Sequence, residues 1–171
     1  MIQEKPFKNY RLNDTKIQKL LIFFLSILIL FLIDIFTKYY FTGKKYFEGN
    51  FIYINSTSNA GSAFSMFSNV SYYSLIIAIC GVLFIGILIY HLYSINYNNI
   101  QAKELDNIFL IVFIFIIAGV LGNTYDRFVF GFTRDFIGIN NFFIFNVADF
   151  YLTSSVIIYI YYELKTNFKH N

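Results

Sequence analysis

Four aspartates, Asp34, Asp126, Asp135 and Asp149, stand inside or beside long apolar runs, with Lys38, Arg127, Asn59, Asn123 and Asn146 in the same stretches. An ionisable group at the centre of a hydrocarbon layer costs about 2.5 to 3.5 kcal/mol on the lenient insertion scales, so each needs a reason to be there. Pairing supplies part of the reason. Asp34 and Lys38 are four apart and share a helix face, and Arg127 can reach Asp126 or a neighbouring carboxylate. Two such basic partners do not neutralise four acids. Two carboxylates held close in a low-dielectric site cannot both ionise, so they share a proton and act as acid and base at once. That pair can activate a water and polarise a peptide carbonyl. Carboxylates alone could also hold a hard divalent cation.

Other catalytic schemes find little support. The two histidines, His91 and His170, fall at the end of the second apolar run and in the C-terminal tail, away from the acids, which disfavours a Ser-His triad or a histidine-rich zinc site. Cys80 is the single cysteine, so no intramolecular disulfide or multi-cysteine metal site can form; it reads as a small buried hydrophobe.

The elements that must position these groups follow from composition. The chain has 171 residues, 57% of them hydrophobic, 22% aromatic and only 13% charged, with a mean hydropathy of +0.57. This is more apolar surface than one soluble core of that length buries. An all-α integral membrane protein with four transmembrane helices is expected, at about Leu20 to Phe41, Tyr72 to Tyr93, Asn107 to Arg127 and Phe143 to Glu163. The first run reads as a retained span and not as a removable signal peptide. A basic tail, 1–19, precedes the four-helix domain, 20–164, and a short tail, 165–171, follows it. The formal net charge of +3 is small and reads as an orientation signal, with no nucleic-acid surface.

Lys5, Lys8, Arg11, Lys16 and Lys19, then Lys103, then Lys165 and Lys169 place both termini and the middle link in the cytoplasm. Two longer loops, about 42–71 and 128–142, then face outward. The first holds Phe51-Ile-Tyr-Ile-Asn55 before a turn-forming stretch, which predicts a small extracytoplasmic β-containing region. Phe64, Met66 and Phe67 would rest near the interface. Asp34, Lys38, Asn59, Asn123, Asp126, Asn146 and Asp149 all come to the outer side, with Asp135 in the second loop. A proton- or ion-coupled small transporter would place such groups along a path through the bilayer, and a non-catalytic membrane subunit would use them for assembly.

Four segments in this order resemble the motif set of signal peptidase II: Asn59-Ala-Gly-Ser-Ala-Phe64-Ser, Gly119-Val-Leu-Gly122-Asn-Thr-Tyr-Asp126-Arg127, Asp135-Phe136-Ile137 and Phe145-Asn-Val-Ala-Asp149. Asp34 and Lys38 match that family as well. The resemblance implies that Asp135 and Asp149 are the catalytic pair of a membrane aspartyl endopeptidase in the bacterial cytoplasmic membrane. Asn59, Asn123, Arg127 and Asn146 would hold substrate backbone or orient the pair. Asp34, Lys38 and Asp126 would tie helices together, with Gly61, Gly119 and Gly122 permitting close backbone approach. The substrates implied are prolipoproteins, cut before a diacylglyceryl-modified cysteine, with membrane lipid as the other partner, no cofactor or metal, and a monomeric enzyme. Arg134 stands where the family has a small apolar residue. It would either lower the pKa of a neighbouring carboxylate or point to lipid headgroups.

Overall fold

The computed structural model describes residues 14–49, 51–60, 72, 75–86, 107–139 and 142–167. Along them run α1 (Asp14–Phe41), β1 (Lys45–Glu48), β2 (Ile52–Asn59), α2 (Leu75–Gly86), α3 (Asn107–Phe130), β3 (Thr133–Ile139), β4 (Phe143–Phe145) and α4 (Val147–Asn167). Helix α1 therefore starts six residues ahead of Leu20, inside the expected basic tail. Gly61, Phe64, Met66, Phe67, His91 and Lys103 lie outside the described residues.

Two stretches, Ile17–Phe41 and Ile108–Phe130, are long and apolar enough to cross a membrane, at mean hydropathies of 2.9 and 2.4. Leu75–Gly86 and Val147–Tyr162 are shorter apolar helices. The outward face of α1 carries Leu21, Ile22, Phe24 and Phe36, each more than 60% exposed. Such a face suits a hydrocarbon solvent and not water.

Helix α3 packs along α4 and α1, with Ile27, Val112, Ile117, Ala118, Ala148 and Tyr151 buried. Small residues let the backbones close up. A Cβ on Gly122 would collide with the Asp34 carboxylate and come within 3.3 Å of the Ala148 Cβ, so this glycine is where α1, α3 and α4 converge. Cys80 is exposed, contrary to the expectation that it is buried. Ala78, fully buried on α2, and Gly81, whose added Cβ would meet Thr124 and Val120, mark the face of α2 turned toward α3.

The four strands form one antiparallel sheet in the order β1-β2-β3-β4. Two expectations change here. The fourth helix begins at Val147, not Phe143, because Phe143–Phe145 pairs with Ile137 to Ile139 as an edge strand. The second loop, expected from 128, starts later and holds a strand: α3 continues to Phe130, Gly131 turns the chain at φ 79°, and β3 follows. Only glycine enters that left-handed region without steric cost. Of the extended segment predicted at Phe51 to Asn55, Ile52 to Asn55 lie within β2 and Phe51 stands just ahead of it.

Between β2 and β3 the pairing shifts: Ile54 lies opposite Ile137, but Thr57 lies opposite Asp135. One extra residue of β2 is accommodated there, a bulge that bends the strand beside Asp135. Phe136 stacks on Phe41 at 4.7 Å between ring centroids and is 3% exposed, pinning β3 against the end of α1.

Candidate active site

Strand alternation sorts the residues of β3. Arg134 and Phe136 point one way, toward Asp126 of α3 and Phe41 of α1, while Asp135 points the other way. Its carboxylate accepts hydrogen bonds from Asn59 Nδ2 at 3.1 Å and Asn146 Nδ2 at 2.6 Å. Thr133 Oγ1 donates to the Asn59 carbonyl at 3.0 Å and fixes the β2 end of this contact.

Asp149 is held by a different device. Asn146 precedes α4, and its Oδ1 accepts from the Asp149 backbone N–H at 3.0 Å, while the Asp149 Oδ2 accepts from the Asn146 backbone N–H at 3.2 Å. This is a reciprocal capping box with Asn and Asp in the two roles. It places the Asp149 carboxylate at the positive end of the α4 dipole. The Ala148 N–H, another unpaired donor of that first turn, is capped from α1 by Asp34 Oδ1 at 2.8 Å.

Two buried asparagines join the acids. Asn146 touches both, through its side-chain amide to Asp135 and its backbone to Asp149. Asn123 Nδ2 donates to Asp149 Oδ1 at 2.8 Å, and its Oδ1 accepts from Asn146 Nδ2 at 3.1 Å and Lys38 Nζ at 3.0 Å. Two donors on Oδ1 leave the Asn123 amide only one satisfactory orientation, with its nitrogen toward Asp149.

Burial pushes the Asp135 carboxyl up from 3.8 to about 6, and the negative charge of Asp149 pushes in the same direction. The hydrogen bonds from Asn59 and Asn146 and the charge of Lys38 oppose the rise. An acid at about 6 beside a second carboxylate can hold a proton near neutral pH and release it readily.

The remaining acids are ion-paired. Lys38 Nζ lies 2.8 Å from Asp34 Oδ2 and 3.6 Å from Asp126 Oδ2, all three side chains fully buried. The Asp34–Lys38 pair is as expected from the spacing. Asp126 differs: its arginine partner is Arg134, not Arg127. Neighbours on a helix point about 100° apart, so Arg127 turns back and donates to the Asn123 carbonyl at 3.4 Å. Arg134 Nη2 meets Asp126 Oδ1 at 2.7 Å, and its backbone N–H meets Oδ2 at 2.9 Å. Arg134 is 7% exposed, so it points neither to lipid headgroups nor at the two acids.

Asn59, Asn123, Asn146, Asp135 and Asp149 thus meet in one hydrogen-bonded group, and Lys38, Asp34, Asp126 and Arg134 stand behind it. Arg127 borders it. The capping box was readable as Asn146 with Asp149 three residues on; the role of Thr133 left no sequence signal.

The family model described as signal peptidase (SPase) II matches residues 26–165. The chain belongs to the signal peptidase II family. It is 28% identical to the lipoprotein signal peptidase of Caldicellulosiruptor bescii, over 85% of this chain and 92% of that protein. The lipoprotein signal peptidase of Thermodesulfovibrio yellowstonii is 31% identical, with 82% of this chain and 93% of that protein covered. A solved bacterial membrane enzyme, determined by the in meso method at 1.9 Å resolution, superposes with a TM-score of 0.67 at 27% identity, covering 84% of this chain and 92% of the other. A second such enzyme, at 2.3 Å, gives 0.65 at 28% identity, over 85% and 88%. The chain is accordingly a bacterial membrane protease, and all the groups described above lie within the matched span.

Proposed function

We propose that the protein is an aspartic endopeptidase that removes signal peptides from prolipoproteins, cleaving before the diacylglyceryl-modified cysteine, with Asp135 and Asp149 as its catalytic pair. The observation that carries this reading is Asn146, which hydrogen-bonds both carboxylates, Asp135 through its side-chain amide and Asp149 through its backbone N–H, and so ties them to one residue.

Cleavage runs by general acid and base. A water seated between the acids loses a proton to ionised Asp149 as its oxygen attacks the scissile carbonyl, which accepts a hydrogen bond from protonated Asp135. When the tetrahedral intermediate collapses, Asp149 returns its proton to the departing amine and the C–N bond breaks. Asn59, Asn123 and Asn146 hold the acids in place, and Arg127 lines the approach for substrate backbone. No cofactor or metal enters this scheme, and one copy of the chain carries every group it uses.

In this reading all four helices span the cytoplasmic membrane, both termini are cytoplasmic, and the sheet covers the outer end of the bundle. A substrate anchored by acyl chains in the outer leaflet presents its cleavage point at that depth. The apolar faces of the helices receive the lipid.

Asp135→Asn and Asp149→Asn should each stop processing while leaving the protein inserted, so that cells accumulate diacylglyceryl-modified prolipoprotein. Normal processing by both variants would sink the assignment. Activity lost in EDTA and restored by a divalent cation would contradict a metal-free pair.

A further inference from the structure

Behind the paired acids lies a closed set of four charges that sequence order does not suggest. Asp34, Lys38 and Asp126 are fully buried and Arg134 nearly so. Two cations and two anions make the set neutral, but the contacts are unequal. Asp126 receives its short bonds from Arg134, with Nη2 at 2.7 Å, Nε at 3.2 Å to both oxygens and the backbone N–H at 2.9 Å. Lys38 is the longer partner at 3.6 Å. Lys38 instead sits 2.8 Å from Asp34 and 3.0 Å from the Asn123 oxygen. The Arg134 guanidinium lies over the Phe130 ring at 4.3 Å, which holds it on the α3 side of β3.

We propose that Arg134 is a positioning residue for the acid pair: by satisfying Asp126 it leaves Lys38 free to orient Asn123, and it anchors the strand on which Asp135 stands. The inference rests on the proposed role of Asp135 and Asp149. Without Arg134, buried Asp126 retains one strong countercharge within reach, Lys38. A lone buried carboxylate is costly enough to draw that ammonium away from Asn123. The Asn123 amide then loses one of the two donors that aim its nitrogen at Asp149, and the lysine charge is spent on two carboxylates.

The charged groups around the pair set the direction of the pH effect. Lys38 and Asp34 come from α1, Asp126 and Arg127 from α3, Asp149 from α4 and Arg134 from β3; on the β2 side the residues bonded to Asp135 are uncharged Asn59 and Thr57. Removing Arg134 makes the four-charge set net negative. Less positive potential at Asp135 favours its protonated form, so the alkaline limb of the activity profile moves up.

The test uses the full-length enzyme in detergent with a synthetic diacylglyceryl-cysteine peptide spanning the cleavage point. Arg134→Met should lower kcat about tenfold with KM little changed, and raise the alkaline limb by about one pH unit. Arg134→Lys, which keeps the charge without the planar fork, should keep the limb in place and recover part of kcat. Asp126→Asn combined with Arg134→Met restores a neutral set and should return the limb to its original position, even if stability falls. Wild-type kcat and limb in Arg134→Met overturn the inference. So does activity that falls only in proportion to folded protein, with the limb unmoved in Arg134→Met and the double variant alike. Asp135→Asn run alongside separates the two readings: full activity there defeats the acid pair itself, whereas its inactivity with an indifferent Arg134→Met defeats only the positioning role.

Discussion

At Asp135 the burial that makes the carboxyl a usable acid also makes the fold sensitive to pH. Its folded pKa of about 6 stands above the unfolded 3.8, so the native state binds the proton more tightly. Stability from this group is fully present below about pH 4 and is lost as pH rises through about 6. Roughly two pH units correspond to about 3 kcal/mol, and Asp135 is only 3% exposed, so solvent screens little of it. Asp135→Asn should therefore be inactive yet more stable than wild type at pH 7, with the difference vanishing near pH 4. Thermal unfolding in detergent at the two pH values checks this; an undiminished fall in the variant between pH 4 and 6 would assign the effect to another group. Spacing alone revealed Asp34 with Lys38, since one helical turn joins them. It did not reveal Asp126 with Arg134, because that contact depends on the chain reversing at Gly131, and local spacing carries no information about where a strand returns.

Among the elements, the helices were legible wherever an apolar run approached 20 residues, and the strands were legible only in part. Phe143-Ile-Phe145 is as apolar as the helix that follows, and a three-residue run gives no period to distinguish strand from helix. The break between them is Asn146, which opens α4 in a capping box with Asp149 three residues on. Asn146 serves as both cap and bridge, so the start of α4 and the geometry of the acids are one structure. Gly122 governs how closely α1 approaches this start. Gly122→Ala would drive a methyl into the Asp34 carboxylate and against Ala148, separating Asp34 from the Ala148 N–H it caps. A cost of about 1 to 3 kcal/mol is expected for such overpacking, with a lower Tm and reduced peptide cleavage. Gly86→Ala on α2, where an added Cβ meets none of the described residues within 4 Å, should leave Tm unchanged or slightly raised. Equal effects of the two changes would remove the special role given to the Gly122 contact.

For the whole molecule, composition pointed to the membrane, while the choice of Asp135 and Asp149 among four aspartates came from the family resemblance. The folded chain adds a reason for that choice: Asp34 and Asp126 are bound by Lys38 and Arg134, whereas the other two share Asn146. The proposed orientation puts the sheet on the outer side. Lys44 stands between α1 and β1, its ammonium over the exposed rings of Tyr40 and Tyr46 at 4.8 and 5.6 Å, an aromatic and cationic grouping suited to headgroup depth. Lys165 lies in the last turn of α4, at the opposite end of that helix from Asp149. With Cys80 replaced by Ser, a cysteine at position 44 should react with a membrane-impermeant maleimide added outside intact cells or spheroplasts. A cysteine at position 165 should react only after the membrane is permeabilised. Because α4 begins beside the acids and carries Lys165 in its last turn, labelling of 165 from outside, with 44 protected, would put Asp135 and Asp149 on the cytoplasmic side. They could not then meet a substrate anchored in the outer leaflet.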